Sequence, residues 1–260
     1  MRFKLILEVN KREFGNLLPI NYQYEQSGAI YKILSKADEA YAAWLHDNGF
    51  QLENGKTFKL FTFSRFKIEK RRIWPEEERL QILSNTVEWQ IGFLPEKSTE
   101  SFIQGVFQNQ IFEIGDKKSV VQFIVRSVEA MPEPDYSERM NFATMSPLCL
   151  KFRHSDGKTD YLPPTDERAS SLLFNGLVDR YRTYYGKDCP HAASECKLHV
   201  IGEPKSAIVK LKTGKPEETR VRGFMTKMEV EAPIDLMRLM YESGAGALNA
   251  QGFGCLRVMK

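Results

Sequence analysis

The sequence has few cysteines, no long apolar run and little net charge, and each shortage excludes a class of protein. Its 260 residues include 4 cysteines and carry a formal net charge of +3. So few scattered cysteines cannot form the disulfide framework of a small secreted domain, and we expect free thiols. No apolar run reaches the roughly 18 residues that a membrane span requires. The composition therefore indicates a soluble globular protein.

The N-terminal stretch "MRFKLILEVN" also lacks the apolar core of a signal peptide. Charged and apolar residues alternate in it, which predicts a strand that begins almost at Met1. We therefore expect a cytoplasmic protein. The net charge is too small to demand a nucleic-acid partner by itself, but cations that cluster locally would still attract one.

The first half of the chain predicts the element order strand, helix, strand, strand, helix, strand. Residues 2–9 alternate as a strand, and apolar residues at three- and four-residue spacing predict two short helices between Tyr24 and Asn48. Strands are predicted at "KTFKLFTFSRFKI" and "NTVEWQIGFL", and a helix at "KSTESFIQGVFQ". A strand pair that turns at Gly115 and Asp116 follows. This order is that of a ferredoxin-like domain.

The order partly repeats after a polar, proline-containing segment at 129–140, which is the predicted linker. "FATMSPLCLKF" predicts a strand, and "DERASSLLFNGLVDRYRTYYG" predicts a helix that ends at Gly186. "ECKLHVIG", "SAIVKLKTG" and "TRVRGFMTKMEV" predict three strands, "APIDLMRLMYESG" a helix and "FGCLRVMK" a last strand. We therefore predict an α+β fold of two tandem ferredoxin-like domains, at residues 1–130 and 141–260.

Four glycines lie close together near the end of the chain, at Gly244, Gly246, Gly252 and Gly254 within "GAGALNAQGFGCLRVMK". They fall between a helix and a strand, whereas glycine-rich nucleotide motifs run from strand to helix, and no lysine occupies a Walker position. A helix cap and a turn would explain one or two of them. Four favour a nest of main-chain N–H groups that receives a phosphate chain. In that interpretation the side chain of Asn249 matters little.

The spacing of these glycines, with an aromatic residue between the last two, resembles the signature of the repeat-cleaving CRISPR-associated endoribonucleases. The segments "GAIYKIL", "WLHDN", "KLFTFS" and "SPLCL" resemble the same family, so the resemblance spans the chain. One departure is the uncharged "ALNAQ", where many members place a basic residue. The resemblance implies two ferredoxin-like domains and metal-free cleavage of RNA without a cofactor. In that reaction a ribose 2′-OH attacks the adjacent phosphate and leaves a 2′,3′-cyclic phosphate and a 5′-OH.

Such a cleavage needs a base, an acid and a cation near the phosphorane. The resemblance implies Tyr31, His46 and Lys59 as the catalytic residues. On the sequence alone, a lone helical histidine is more often structural, Tyr31 is also explained as a core aromatic, and a strand lysine is usually solvated. Lys56 stays open as an alternative to Lys59, because the spacing from His46 is longer than in close relatives of the family.

Further cations are candidates for RNA contact, in two groups. Arg65 and Lys67 belong to the basic and aromatic stretch "RFKIEKRRIW", which a solvated loop would explain nearly as well. In the second half, two pairs of cations alternate with apolar residues on neighbouring predicted strands. We expect each pair to share one face of a hairpin that grips phosphates. These pairs are Lys210 with Lys212 and Arg220 with Arg222.

A zinc site is conceivable at Cys189, His191, Cys196 and His199, and the spacing disfavours it. The spacing is not that of a standard zinc finger. Cys196 and His199 also fall in a predicted strand, where an odd separation points two side chains to opposite faces. The sequence therefore predicts no metal site.

Three interpretations of function follow, and the first is favoured. It is an endoribonuclease that processes CRISPR precursor transcripts at the repeat, with repeat RNA as its partner and a CRISPR effector complex as a further candidate partner. The second is a catalytically silent protein that binds the same RNA. The third is an unrelated RNA-binding module on the same kind of sheet. No membrane partner is predicted, and monomer and homodimer both stay open.

Overall fold

The computed structural model describes residues 1–259. The elements of the first half are, in chain order, β1 (Arg2–Val9), β2 (Leu17–Pro19), α1 (Gln23–Ala37), α2 (Glu39–Asp47), β3 (Phe50–Gln51), β4 (Thr57–Phe58), β5 (Phe61–Phe63), β6 (Arg71–Trp74), β7 (Arg79–Ile82), β8 (Thr86–Phe93), α3 (Glu96–Gln108), β9 (Ile111–Gly115) and β10 (Val120–Ala130). Those of the second half are β11 (Arg139–Thr144), β12 (Leu150–Arg153), β13 (Thr159–Leu162), α4 (Ala169–Tyr185), β14 (Lys197–Leu211), β15 (Thr219–Glu231), α5 (Ile234–Ser243) and β16 (Leu256–Val258). Two single-turn 3₁₀ helices lie at Ala193–Glu195 and Asn249–Gln251.

The first half is built on an antiparallel sheet with the strand order β5-β8-β1-β10-β9. Alternate residues of the central strand β1, Phe3, Leu5, Leu7 and Val9, are buried, as a period of two requires when one face meets the core. Helices α1 and α3 contribute to that core, and the rings of Phe3 and Phe102 lie 6.2 Å apart. Without β9, the order is second, third, first, fourth strand, which is the ferredoxin-like arrangement.

The second half repeats this arrangement in a sheet with the order β14-β15-β11-β16. Leu173, Leu177 and Tyr181 of α4 recur every four residues and are buried in its core together with α5. Helix α4 ends at Gly186, whose φ of 62° is the left-handed cap expected of glycine. The predicted fold class of two ferredoxin-like domains is therefore confirmed, whereas the division into residues 1–130 and 141–260 stays a prediction.

Four predicted strands differ from the structure. "KTFKLFTFSRFKI" is interrupted between β4 and β5, because Leu60 has a φ of 55° and turns the chain. "FATMSPLCLKF" contributes to two strands, β11 and β12. In contrast, "ECKLHVIG" and "SAIVKLKTG" form the single strand β14. A register shift between Ile201 and Lys205, at Gly202 with a φ of 75°, makes a bulge instead of a break.

Three small sheets were not predicted, namely β2-β7-β6, β12-β13 and β3-β4. The first of them includes β6, which lies in the stretch "RFKIEKRRIW" that a loop would also have explained. These strands are short and partly exposed, so their sequences carry little of the alternation on which strand prediction depends.

The two halves meet through buried contacts. Leu60 and Leu94 of the first half pack in the core of the second. The guanidinium of Arg2 donates to the main-chain oxygens of Tyr241 and Leu256 and lies over the ring of Tyr241. The stretch with the four clustered glycines follows α5 and therefore lies at this junction. No helix within residues 1–259 is both long and apolar enough to cross a membrane.

Candidate functional site

Tyr31, His46 and Lys59 lie together at one edge of the first half. Tyr31 belongs to α1 and His46 to the last turn of α2, and their rings meet edge to face with centroids 5.0 Å apart. The Lys59 ammonium donates to the main-chain oxygen of His46, with 2.7 Å between Nζ and the oxygen. We call these three residues the trio. Residues from three separate segments of the chain that the resemblance singles out are thus neighbours in the fold.

The local sequence explains how Lys59 reaches α2. The sequence predicts Lys59 on a strand, but the residue lies in the interruption between β4 and β5, next to Leu60. After α2, Gly49 adopts a φ of 64° and lets the two segments approach closely, because a Cβ there would lie 2.7 Å from the main-chain oxygen of Phe58. The kink and the glycine together bring the lysine against the end of α2.

The hydrogen bond between His46 and Asp47 fixes the tautomer of the imidazole. His46 Nδ1 lies 2.7 Å from a carboxylate oxygen of Asp47, and a carboxylate only accepts. Nδ1 therefore carries the proton, and the neutral ring keeps Nε2 as its acceptor. The His46 side chain is 66% exposed, so Nε2 is open to a ligand from solvent.

Burial acts on the other two members of the trio in opposite directions. It raises the pKa of Tyr31 well above its usual range, so this side chain stays a neutral phenol at neutral pH. It lowers the pKa of the half-buried Lys59 ammonium. Lys56 instead pairs with Asp179 of α4, with 2.6 Å between Nζ and the carboxylate oxygen. The geometry thus favours Lys59 over Lys56 as the lysine next to His46.

The glycine-rich segment, which we define as residues 244–255, needs all four of its glycines for its own packing. Gly244, Gly246, Gly252 and Gly254 have φ values of 95°, 70°, 87° and 71°. A Cβ on Gly254 would lie 1.9 Å from the main-chain oxygen of Ala245, and a Cβ on Gly246 2.4 Å from another carbonyl. Positive φ values and close packing therefore account for the glycines that a cap and a turn leave unexplained, so their number alone does not require a ligand.

The amides of this segment are largely used inside the protein. Gly244, Gly252 and Gly254 donate to the main-chain oxygens of Met240, Asn249 and Pro147 at 2.9, 3.1 and 2.9 Å. The predicted phosphate nest therefore lacks three of its four glycine amides, since each of these is already bound to a carbonyl. A role of the glycines in RNA binding stays a prediction, and it would depend on the shape of the segment.

Asn249, whose side chain the sequence predicts to matter less, makes hydrogen bonds within the protein. Its amide nitrogen donates to the main-chain oxygens of Ala245 and Phe253, at 2.9 and 3.2 Å, and its oxygen accepts from Arg180 at 3.3 Å. Asn249 thereby ties the two ends of the segment together. In an uncharged stretch, such a network leaves no signal in the sequence.

Helix α1 joins the glycine-rich segment to the trio. The Ser27 hydroxyl donates to the main-chain oxygen of Ala250 at 2.7 Å. Ser27 and Tyr31 are separated by four residues on α1, which places them on the same face, roughly 6 Å apart. From β5, the Thr62 hydroxyl donates to the main-chain oxygen of Phe253 at 3.2 Å. One helical face therefore carries both a contact to the segment and a member of the trio.

Arg65 and Lys67 have different surroundings. With its side-chain oxygen turned toward Arg65, Gln23 accepts hydrogen bonds from Nε and Nη2 at 3.0 and 3.2 Å. Gln23 also packs beneath Gly252, so Arg65 is half-buried beside the glycine-rich segment. Lys67 pairs with Glu88 at 2.8 Å. Arg65 is thus the better placed of the two cations to reach a ligand on the segment.

The predicted basic hairpin is only partly formed. Strands β14 and β15 place Lys210 opposite Arg220 and Ile208 opposite Arg222, on one face of the hairpin. Lys212 lies beyond the end of β14 with a φ of 56°, so it does not share this face as a strand residue. Lys210 pairs with Glu78 of the first half. The prediction of four cations on one side is therefore wrong, since Lys212 leaves the face.

Two cations of this face remain exposed, Arg220 and Arg222. They flank a hollow of about 360 Å³ that Tyr161 also lines. Val209 and Val221 point to the opposite face and pack with Phe253 of the glycine-rich segment. The hairpin thus offers an arginine pair beside an aromatic ring on one side and supports the segment on the other.

The cysteines and histidines of the second half do not converge. All four cysteines are free thiols, as predicted. His191 lies 3.2 Å from a carboxylate oxygen of Asp235. In the part of the chain that the structure describes, no three His, Cys, Asp or Glu side chains are close enough to hold a metal ion.

Comparison with known proteins agrees with this architecture. The family model "CRISPR-associated protein Cas6, N-terminal" matches residues 17–129, and "CRISPR associated protein Cas6, C-terminal" matches residues 131–258. The chain belongs to the Cas6 family. The matched ranges together include the trio and the whole glycine-rich segment.

Cas6 relatives match along nearly the entire chain. The CRISPR-associated endoribonuclease Cas6 1 of Methanocaldococcus jannaschii is 29% identical over 98% of this chain and 91% of its own length. The CRISPR-associated endoribonuclease Cas6 of Pyrococcus furiosus is 27% identical over 99% of this chain and 90% of its own. A solved structure of a Cas6-related gene product from Pyrococcus furiosus, 23% identical, superposes with a TM-score of 0.82 over 100% of this chain and 98% of its own. At this level of identity, the superposition shows that the two proteins share a fold.

Several residues of this Cas6 family member escaped the sequence analysis. Asp47 adjoins His46, Ser27 precedes Tyr31 by one helical turn, and Arg180 is buried in α4 against the glycine-rich segment. The sequence contains one pattern that could have indicated the role of Arg180. It follows Leu173 and Leu177 at helical spacing, so a cation falls on the buried face of the helix.

Proposed function

We propose that this chain is an endoribonuclease that cleaves the repeats of CRISPR precursor transcripts and releases CRISPR RNAs. The observation that carries this proposal is the shared face of α1, where Ser27 holds the glycine-rich segment one turn from Tyr31 of the trio. An RNA that follows the segment would pass the imidazole of His46. Membership of the Cas6 family, and the names of its endoribonuclease relatives, agree with this assignment.

The trio supplies the proton transfers of an attack by the 2′-OH without a metal ion. His46 Nε2 accepts the proton of the ribose 2′-OH, since the Asp47 carboxylate holds the proton on Nδ1. The 2′ oxygen forms a bond to phosphorus, and the bond from phosphorus to the 5′ oxygen breaks. The products are a 2′,3′-cyclic phosphate and a 5′-OH.

Lys59 and Tyr31 act on the phosphate in this mechanism. The Lys59 ammonium neutralises the charge that builds on the phosphorane and gives a proton to the departing 5′ oxygen, which its lowered pKa favours. Tyr31 has a raised pKa and is therefore a hydrogen-bond donor instead of a phenolate base. It positions the phosphate against His46.

Repeat RNA is the proposed partner, and Arg65, Arg220 and Arg222 are its proposed charged contacts. Arg65 lies beside the glycine-rich segment, and the arginine pair of the hairpin lies next to Tyr161, which suits a phosphate chain with unpaired bases. We further propose a cytoplasmic protein, either a monomer or a homodimer, that passes its product to a CRISPR effector complex.

The test uses a synthetic RNA with the repeat sequence of the CRISPR array from the source genome. Incubation in EDTA should give one cut, a 2′,3′-cyclic phosphate and a 5′-OH. A matched RNA with a single 2′-deoxy sugar at the cut should bind and stay intact, because the attacking hydroxyl is missing. Cleavage that requires Mg²⁺, or that persists in the 2′-deoxy RNA, would overturn this mechanism. Binding without any cleavage would favour the catalytically silent alternative.

A further inference from the structure

Arg180 is a buried cation whose hydrogen bonds converge on the glycine-rich segment. Its guanidinium donates to the Ser243 hydroxyl at 2.9 Å, to the main-chain oxygen of Gly244, to the Asn249 side chain at 3.3 Å and to the main-chain oxygen of Gly246 at 3.3 Å. Only 2% of Arg180 is exposed. One side chain of α4 thus binds the end of α5 and the first part of the segment.

Every acceptor of Arg180 is neutral. The adjacent Asp179 carboxylate pairs with Lys56. Burial accordingly lowers the pKa of Arg180 to about 10, and its charge stays in place at neutral pH. An ion held in this way costs desolvation energy, and an apolar side chain of similar size at such a position is often neutral or stabilising. Apolar packing of the core therefore does not require an arginine on this face of α4, and its hydrogen bonds must account for it.

The hydrogen bonds explain it through the shape of the segment. Arg180 holds the carbonyls of Gly244 and Gly246 inward, and Asn249 continues the network to those of Ala245 and Phe253. Because N–H and C=O point in opposite directions in a trans peptide, an inward carbonyl of Ala245 turns the amide of Gly246 outward. Gly246 is also only partly buried.

The same network connects to the trio. The carbonyl of Ala250, next to Asn249, accepts from Ser27 on α1. The position of the segment relative to Tyr31 therefore depends on the conformation that Arg180 and Asn249 impose.

We propose that Arg180 and Asn249 form a clamp that holds the glycine-rich segment in the conformation that binds RNA, without touching the RNA. Both are positioning residues in the function proposed above, and the inference rests on that function. The clamp acts by hydrogen-bond geometry. A lysine at 180 keeps the charge and loses the planar fork, so it should not replace the arginine.

Amide hydrogen exchange tests the clamp without RNA. In Arg180→Met, Arg180→Lys and Asn249→Ala, the amides of Ala245 and Gly254 should lose at least about tenfold in protection, because their bonds to Gly254 and Pro147 close the segment. Amides of β1 and β15 should keep their protection, which serves as the control for folding. Wild-type protection in all three variants would overturn the clamp. Asn249→Ala keeps the test decisive if the Arg180 variants fail to fold.

RNA binding tests the consequence of the clamp for function. The affinity for the synthetic repeat RNA should fall about tenfold in each variant, with an unchanged slope of log K against log [salt], since no phosphate contact is lost. Arg222→Ala is the matched comparison, in which the slope itself should become smaller. A reduced slope in Arg180→Lys or Asn249→Ala, or full affinity despite lost protection, would overturn the proposal. Failure of the wild-type protein to bind repeat RNA would refute the proposed function. The exchange experiment would still test whether Arg180 and Asn249 hold the segment, because it needs no RNA.

Discussion

The trio and the glycine-rich segment are neighbours across α1, and they are held in opposite ways. The His46 side chain is 66% exposed and makes one side-chain hydrogen bond, to the adjacent Asp47. In the segment, Gly252, Phe253 and Gly254 are buried. A substitution at His46 should therefore change the reaction and spare the fold, whereas one in the segment should act on the fold first and on RNA through it.

The largest effect is expected at His46. His46→Ala removes the group that accepts the 2′-OH proton, and positioned acid–base groups contribute roughly 10²- to 10⁴-fold. The single-turnover cleavage rate should fall by that factor, while RNA affinity and the melting temperature stay near wild type because the side chain is exposed. Rapid-quench cleavage at saturating protein measures the rate. Full activity in this variant would make His46 a structural residue.

The opposite behaviour is expected at Gly254. In Gly254→Ala the new Cβ would meet the Ala245 oxygen at 1.9 Å, in a backbone with a φ of 71°. Overpacking and strain together should cost roughly 2 to 5 kcal/mol, or about 5 to 15 °C in melting temperature.

Gly157→Ala is the control for Gly254→Ala. Gly157 has a φ of 85° with open space around the position of a Cβ, so it carries the strain without the collision. The Gly157→Ala variant should lose at most about 1 to 3 kcal/mol of folding free energy, the cost of the strained backbone alone. Equal melting temperatures for the two variants would show that close packing at Gly254 contributes nothing.

The same contrast explains what could be predicted from the sequence. Periodicity gave both ferredoxin-like halves, because alternation along β1 and four-residue spacing along α4 directly reflect burial. Resemblance singled out the three members of the trio. The network of Arg180 and Asn249 joins residues 69 positions apart, and Lys59 depends on a positive φ at Leu60. Neither has a local sequence pattern, so both required the structure.

A smaller effect should separate Lys59 from Lys56. Lys59→Ala removes the ammonium bound to the main chain of His46 and should slow single-turnover cleavage by about 10- to 100-fold. Lys56→Ala breaks an exposed ion pair with Asp179, which is worth about 1 kcal/mol or less, and should leave the rate unchanged. A larger loss in the Lys56 variant would reverse the assignment of the two lysines.

The smallest effect is expected at the exposed arginine pair of the hairpin, which differs from both regions because its substitution removes only charge. Arg222 is exposed on the face that carries Arg220, whereas Lys67 is already paired with Glu88. If Arg222 contacts one RNA phosphate, Arg222→Ala should reduce the slope of log K against log [salt] by about 0.7, the value for one contact to a single strand, and weaken binding a few fold. Lys67→Ala should change the slope less, since removing it also frees the competing carboxylate. Titrations of repeat RNA at four salt concentrations would measure both slopes. An unchanged slope for Arg222 would remove the hairpin from the RNA-binding surface and leave the glycine-rich segment with Arg65 as the proposed contact region.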